Sequence, residues 1–129
     1  TNLAGAGTQT SALAFGGGPP ASVETEKYDG TSWTEVNNLN TARQVLAGTG
    51  TQTAALAFGG ETTVNSASAE SFNGTSWTEI AALNSARYAL GGAGTTTSAL
   101  AFGGDNPRTA ITESWNGSAW SEVADLNTA

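Results

Sequence analysis

Three glutamates, Glu26, Glu70 and Glu113, recur at intervals of 44 and 43 residues, and two arginines, Arg43 and Arg87, fall between them. Carboxylates repeated at one place in a fold can ring a cation or a basic ligand. They can also pair with Arg43 and Arg87, or with backbone N–H groups of the next turn. Pairing is the expected use, because an isolated buried carboxylate is costly. A second set, Glu35, Glu79 and Glu122, falls late in each repeat, where charge on an outer strand would block edge-to-edge pairing. Trp33, Trp77 and Trp120 keep the same period. Indoles at a fixed position can stack on sugars, but packing between repeated units is the expected role. Trp115, whose counterparts are Tyr28 and Phe72, is expected to pack as well.

Other chemistry is excluded by composition. The chain has no His and no Cys. Histidine bases, histidine metal ligands and Ser-His triads are therefore absent, as are disulfides and thiolate metal sites. Arg43, Arg87 and Arg108 with Tyr28 and Tyr88 show no pattern of convergence on a substrate. The GTG and GAG pieces lack the lysine and helix of a phosphate loop. No catalytic residue, cofactor or metal is expected, and the chain is read as a non-enzyme. Eleven acidic against four basic residues, for a charge of −7, disfavour nucleic acid and anionic membranes as partners. No apolar run is long enough to span a bilayer, and no signal segment is expected from the opening residues.

The elements that must position these residues are written three times. LAFGG stands at 13–17, 56–60 and 100–104, and LNTA or LNSA closes each unit at 39–42, 83–86 and 126–129. The units run 1–43, 44–87 and 88–129, and a period of this length means stacked supersecondary units. Each opens with a small-residue stretch (NLAGAGT, VLAGTGT, ALGGAGT), which reads as a strand that another backbone approaches closely. ALAF follows, with Leu13 and Phe15 on one face and Ala12 and Ala14 on the other. The doublets Gly16–Gly17, Gly59–Gly60 and Gly103–Gly104 end that strand. After a variable segment come EKYDG, ESFNG or ESWNG, a hairpin signal, and a fourth strand, SWTEV, SWTEI or AWSEV. Each unit is expected to be four antiparallel strands with no helix, an all-β chain.

Four strands repeated radially make a propeller blade. The unit resembles the kelch repeat in its Gly doublet, its aromatic before the third-strand turn (Tyr28, Phe72, Trp115), its fourth-strand Trp and its linking Arg43 and Arg87. The wording of the repeat is also similar to kelch-like proteins of tailed bacteriophages, which implies a virion or tail-associated origin. The resemblance implies three kelch-like blades in one domain. Propellers close with about four to eight blades, so two copies would complete a six-bladed homodimeric ring. Ala129 ends where a linking arginine would follow, and Thr1 stands where the residue after it belongs, so the two ends are expected to meet at the junctions.

The variable segments and the links between blades should emerge on one face of the ring. That face is the candidate binding surface: Pro19, Pro20, Glu61, Thr62, Asn65, Asp105, Asn106 and Arg108, with Arg43 and Arg87 nearby. Unconstrained drift of these loops is an equal reading. Functionally the expectation is a non-enzymatic, self-assembling module in a structural or binding role. Its ligand would be a protein or a glycan, the latter making it lectin-like. An engineered or excised building block is a further alternative.

Overall fold

The computed structural model describes residues 1–105 and 107–129. Asn106, one of the candidate surface residues, lies outside the described residues. Twelve strands form three four-stranded antiparallel sheets in strict chain order. The first holds β1 (Ala4–Thr8), β2 (Ser11–Phe15), β3 (Thr25–Tyr28) and β4 (Trp33–Glu35). The second holds β5 (Ala47–Thr51), β6 (Ala54–Phe58), β7 (Ala69–Phe72) and β8 (Trp77–Ile80). The third holds β9 (Gly91–Gly94), β10 (Ala99–Phe102), β11 (Thr112–Trp115) and β12 (Trp120–Val123). No helix occurs among the described residues.

The sheets stack as three blades that fan outward from their first strands, with β1 against β5 and β5 against β9. Small residues make that approach feasible. Gly48 of β5 lies against the Phe15 ring, and Gly92 of β9 against the Phe58 ring, where added Cβ atoms would fall 2.4 and 2.6 Å from Cζ. A belt of backbone hydrogen bonds joins the inner edges. The Val45 N–H donates to Asn2 O at 2.8 Å, and the Ala89 N–H donates to Val45 O at 2.9 Å. Asn2, Val45 and Ala89 all hold positive φ, between 52° and 60°. For β-branched Val45 that conformation is a true outlier, so the packing of the belt must hold it there.

The alternation read from ALAF sets the two faces of each blade. Leu13 and Phe15 look toward the second blade, and Leu56 and Phe58 toward the third. The opposite faces present Ala55 and Ala57, or Ala99 and Ala101, beneath those large side chains. Trp77 completes the first interface, its ring 4.9 Å from Phe15 and edge-on. Trp120 completes the second, 5.1 Å from Phe58. The indole Nε1 of Trp77 donates to Thr25 Oγ1 across the interface at 3.1 Å. Trp120 has Ala69 in the place of Thr25, and its buried Nε1 has no acceptor among the described residues.

The third-strand hairpins differ from a two-residue turn. Tyr28 pairs directly with Trp33, leaving a four-residue loop, and only the glycine (Gly30, φ 97°) has positive φ. Asp29 keeps negative φ because its side chain closes the loop. Its Oδ1 accepts from the Thr31 and Ser32 N–H groups, both at 2.9 Å. Asn73 and Asn116 do the same with uncharged amides. Hydrogen bonds from Ser32 and Thr31 hold the Asp29 carboxyl below its usual range. A depressed folded pKa means the loop is favoured above the unfolded value of about 3.9 and loosens as pH falls through the folded one. The Thr31 and Ser32 amide resonances are expected to shift in that acid range, while those of Thr75, Ser76, Ser118 and Ala119 stay in place. Equal shifts in all three loops would show that global acid unfolding is being read instead.

Candidate functional site

Two of the three repeated glutamates are fully buried, and both are paired with arginine. Arg43 Nη2 meets Glu70 Oε2 at 2.8 Å, and Arg87 Nη2 meets Glu113 Oε2 at 2.9 Å. The other nitrogen of each fork holds two carbonyls of the same blade. Arg43 Nη1 donates to Gly59 O and Ser68 O at 3.1 and 2.6 Å, and Arg87 Nη1 to Gly103 O and Ile111 O at 3.0 and 2.6 Å. The second carboxylate oxygen is capped by the preceding linker. Asn40 gives Glu70 Oε1 its backbone N–H at 2.7 Å and its side-chain amide at 2.8 Å, and Asn84 serves Glu113 in the same way. Burial pulls both guanidiniums below their ordinary pKa, opposed by the carboxylate each one faces. These are interior struts that tie linker to blade, with no face open to a ligand. Arg43 and Arg87 therefore do not belong to the candidate surface, because their side chains turn inward beneath it.

Glu26 stands at the same register position in the first blade, opposite Ala14 and Glu35. It is exposed, and among the described residues no donor meets it. Glu35, Glu79 and Glu122 are exposed on the outer strands.

The remaining loop residues fall around two separate depressions. Pro19, Pro20 and Thr62 line a groove of about 610 Å³ between the first two blades, floored by Asn40, Thr41 and Gln44. Glu61 is half-buried at its edge, accepting from Gln44 Nε2 at 3.0 Å, and it bridges to Asn65 within its own loop. Asp105 pairs with Tyr88 of the second linker, while exposed Arg108 borders a smaller cleft of about 220 Å³. The loops thus form an uncharged, mainly apolar groove and a separate cleft rather than one patch.

The tryptophans divide. Trp77 and Trp120 are 5% exposed, wedged between blades with no face left for a sugar. Trp33 is 49% exposed. Among the described residues it stacks only on Tyr28 of its own blade, at 5.1 Å, because neither of the other two blades packs on that face. Leu3 beside it is equally uncovered, and at the other end of the stack so are Leu100, Val123 and Leu126. Both outer blade faces are therefore apolar and open.

Those faces match the two halves of the internal interfaces. Leu100, Phe102 and Thr112 correspond to Leu13, Phe15 and Thr25, the knobs and the indole acceptor. Gly5, Ala12, Ala14 and Trp33 correspond to Gly48, Ala55, Ala57 and Trp77, the socket that receives them. An added Cβ on Gly5 would meet only Leu13 O, at 3.1 Å, so no ring occupies this notch. The close backbone approach expected at the small-residue strands is present, with Gly5 O 3.1 Å from the Cβ position of Gly48, whereas the rings seated on these glycines and the Asn40 and Asn84 caps are not among the sequence expectations. Their fixed recurrence was the available signal. No protein-family model and no curated protein sequence matches the chain.

Proposed function

We propose that the chain is a self-assembling half-ring, two copies of which close a six-bladed propeller with a structural or binding role and no catalytic chemistry. The observation that carries this reading is that the two open faces are the two halves of an interface the chain already builds twice. Apolar faces of this kind drive association. In a ring, Phe102 of one copy seats on Gly5 of the other, and Trp33 gains the acceptor Thr112 that Trp77 finds in Thr25. The backbone belt gains its missing links, from the Asn2 N–H to Ala89 O of the second copy. Each junction joins unlike faces, yet two such junctions close the assembly. Three blades per copy leave six as the multiple within the usual range.

The kelch resemblance agrees with this architecture, and the phage-like wording of the repeat suits a virion or tail component built from repeated modules. The face bearing the groove beside Pro19 and Thr62 is where such a ring would engage a protein or glycan, since variable loops on a rigid scaffold carry recognition. Light scattering on a sizing column over a concentration series tests the assembly. A sharp species at twice the 12.9 kDa chain mass is expected. A folded monomer at all concentrations, or a broad ladder of larger species, would overturn the closed ring.

A further inference from the structure

The two buried struts define what Glu26 lacks. Gly16, Gly59 and Gly103 each donate their N–H to one carbonyl, that of Glu24, Ser68 or Ile111, at 2.9 to 3.0 Å. This identifies the acceptors in the first blade that correspond to those held by Arg43 and Arg87. They are Gly16 O, Glu24 O and the Glu26 carboxylate. In the second and third blades the same three acceptors hold a guanidinium with distances of 2.6 to 3.1 Å. In the first blade none of them receives a side-chain donor among the described residues. Arg108, the remaining arginine, is exposed in the loop of the third blade. Glu26 instead borders an open cleft of about 370 Å³ with Leu3, Ala14 and Trp33.

We propose that Glu26, with the carbonyl oxygens of Gly16 and Glu24, forms a guanidinium-binding site at the junction between two copies. The three acceptors sit within one chain, and the junction rests on the ring reading. There the second copy supplies Asn127, the counterpart of Asn40 and Asn84, whose amides cap the carboxylate oxygen that the guanidinium leaves free. Closing the ring buries Glu26 as Glu70 and Glu113 are buried, and a buried carboxylate without a cation is strongly unfavourable. A guanidinium ion supplies that charge and fits the planar fork geometry, which an ammonium ion does not. The ligand class is an arginine side chain, from a segment joined to the chain or from a separate peptide. Its binding promotes assembly.

The probe is methylguanidinium chloride, compared with methylammonium chloride and sodium chloride at equal ionic strength, read by the concentration at which half the chains are paired. Methylguanidinium is expected to lower that concentration about tenfold at saturation, the effect of one charge-assisted contact, with no comparable change in the other salts. Glu26→Gln is expected to pair without the response, since it removes the charge and keeps the shape. Pairing that responds equally to all three salts would overturn the inference. Should the native chain stay monomeric, the ring reading falls. The Glu26 carboxyl carbon resonance then decides the site: a shift with methylguanidinium alone sustains it, and no shift overturns it. A chain with arginine joined ahead of Thr1 separates the sources. Loss of the response to free methylguanidinium marks a tethered arginine as the occupant, and a persisting response marks a separate one.

Discussion

Replacing Glu70 with Leu is expected to destabilise the chain by about 3–5 kcal/mol, a large part of the roughly 5–15 kcal/mol that holds a domain folded. The loss arises from what remains behind. Arg43 is fully buried beside Glu70, and without the carboxylate its Nη2 has no anionic partner. The Asn40 backbone N–H and amide lose their acceptor at the same time. Arg43→Met combined with Glu70→Leu should recover much of the loss, because removing a whole buried pair is far milder than orphaning one member. Recovery should stop short of the native value, since Gly59 O and Ser68 O then lose the donor that Arg43 Nη1 supplies, and an unmet buried carbonyl costs about 1–3 kcal/mol. Glu26→Leu supplies the control, as Glu26 is exposed and unpaired in the single chain. It should shift monomer stability by less than about 0.5 kcal/mol. Urea unfolding followed by circular dichroism reads all four proteins. Equal losses for Glu70→Leu and Glu26→Leu would show that the strut contributes nothing particular.

The blade was legible in the chain for a simple reason. Alternating ALAF strands, Gly doublets and a turn-forming Asp29–Gly30 or Asn73–Gly74 are local signals, and threefold repetition averages away their ambiguity. The pairing of Glu70 and Glu113 with Arg43 and Arg87 was equally readable, because burial leaves a carboxylate few options. What escaped the sequence depends on position in the stack rather than on residue type. Arg43 and Arg87 sit in the linkers between blades, and only the path of the side chain shows that they turn inward. Trp33 has the same neighbours in sequence as Trp77, yet one is exposed and the other buried, because among the described residues another blade packs on Trp77 alone. The loop around Asp29 departs from a two-residue turn because its carboxylate bonds forward to Thr31 and Ser32, a competition that dipeptide propensity does not weigh. The positive φ of Val45 is likewise imposed by the belt between blades, against the preference of its own side chain.

Gly48→Ala and Gly5→Ala place the same methyl in equivalent notches, and their expected outcomes diverge. On Gly48 the new Cβ would lie 2.4 Å from Cζ and 3.0 Å from Cε2 of Phe15. That ring is buried and held edge-on by Trp77 at 4.9 Å, so it cannot swing away freely. Overpacking of this sort costs about 1–3 kcal/mol, and it should appear as lost folding stability. Gly5 has only Leu13 O near its would-be Cβ, at 3.1 Å among the described residues, a contact that a small backbone shift relieves, so the folded monomer should lose less than about 1 kcal/mol, below the overpacking range. In the proposed ring, however, Phe102 of the second copy would occupy that notch at both junctions. Two overpacked junctions would weaken pairing by about 2–6 kcal/mol, a factor of about thirty to twenty thousand in dissociation constant. Urea unfolding of dilute protein measures the first effect, and sedimentation equilibrium measures the second. Native pairing by Gly5→Ala would remove Phe102 from this notch and with it the six-bladed ring. Restoration of pairing by adding Phe102→Leu, whose smaller side chain leaves room for the methyl, would place both residues in one contact. The contrast works because the chain carries its own reference. The interface to be tested between two copies is already present, twice, inside one.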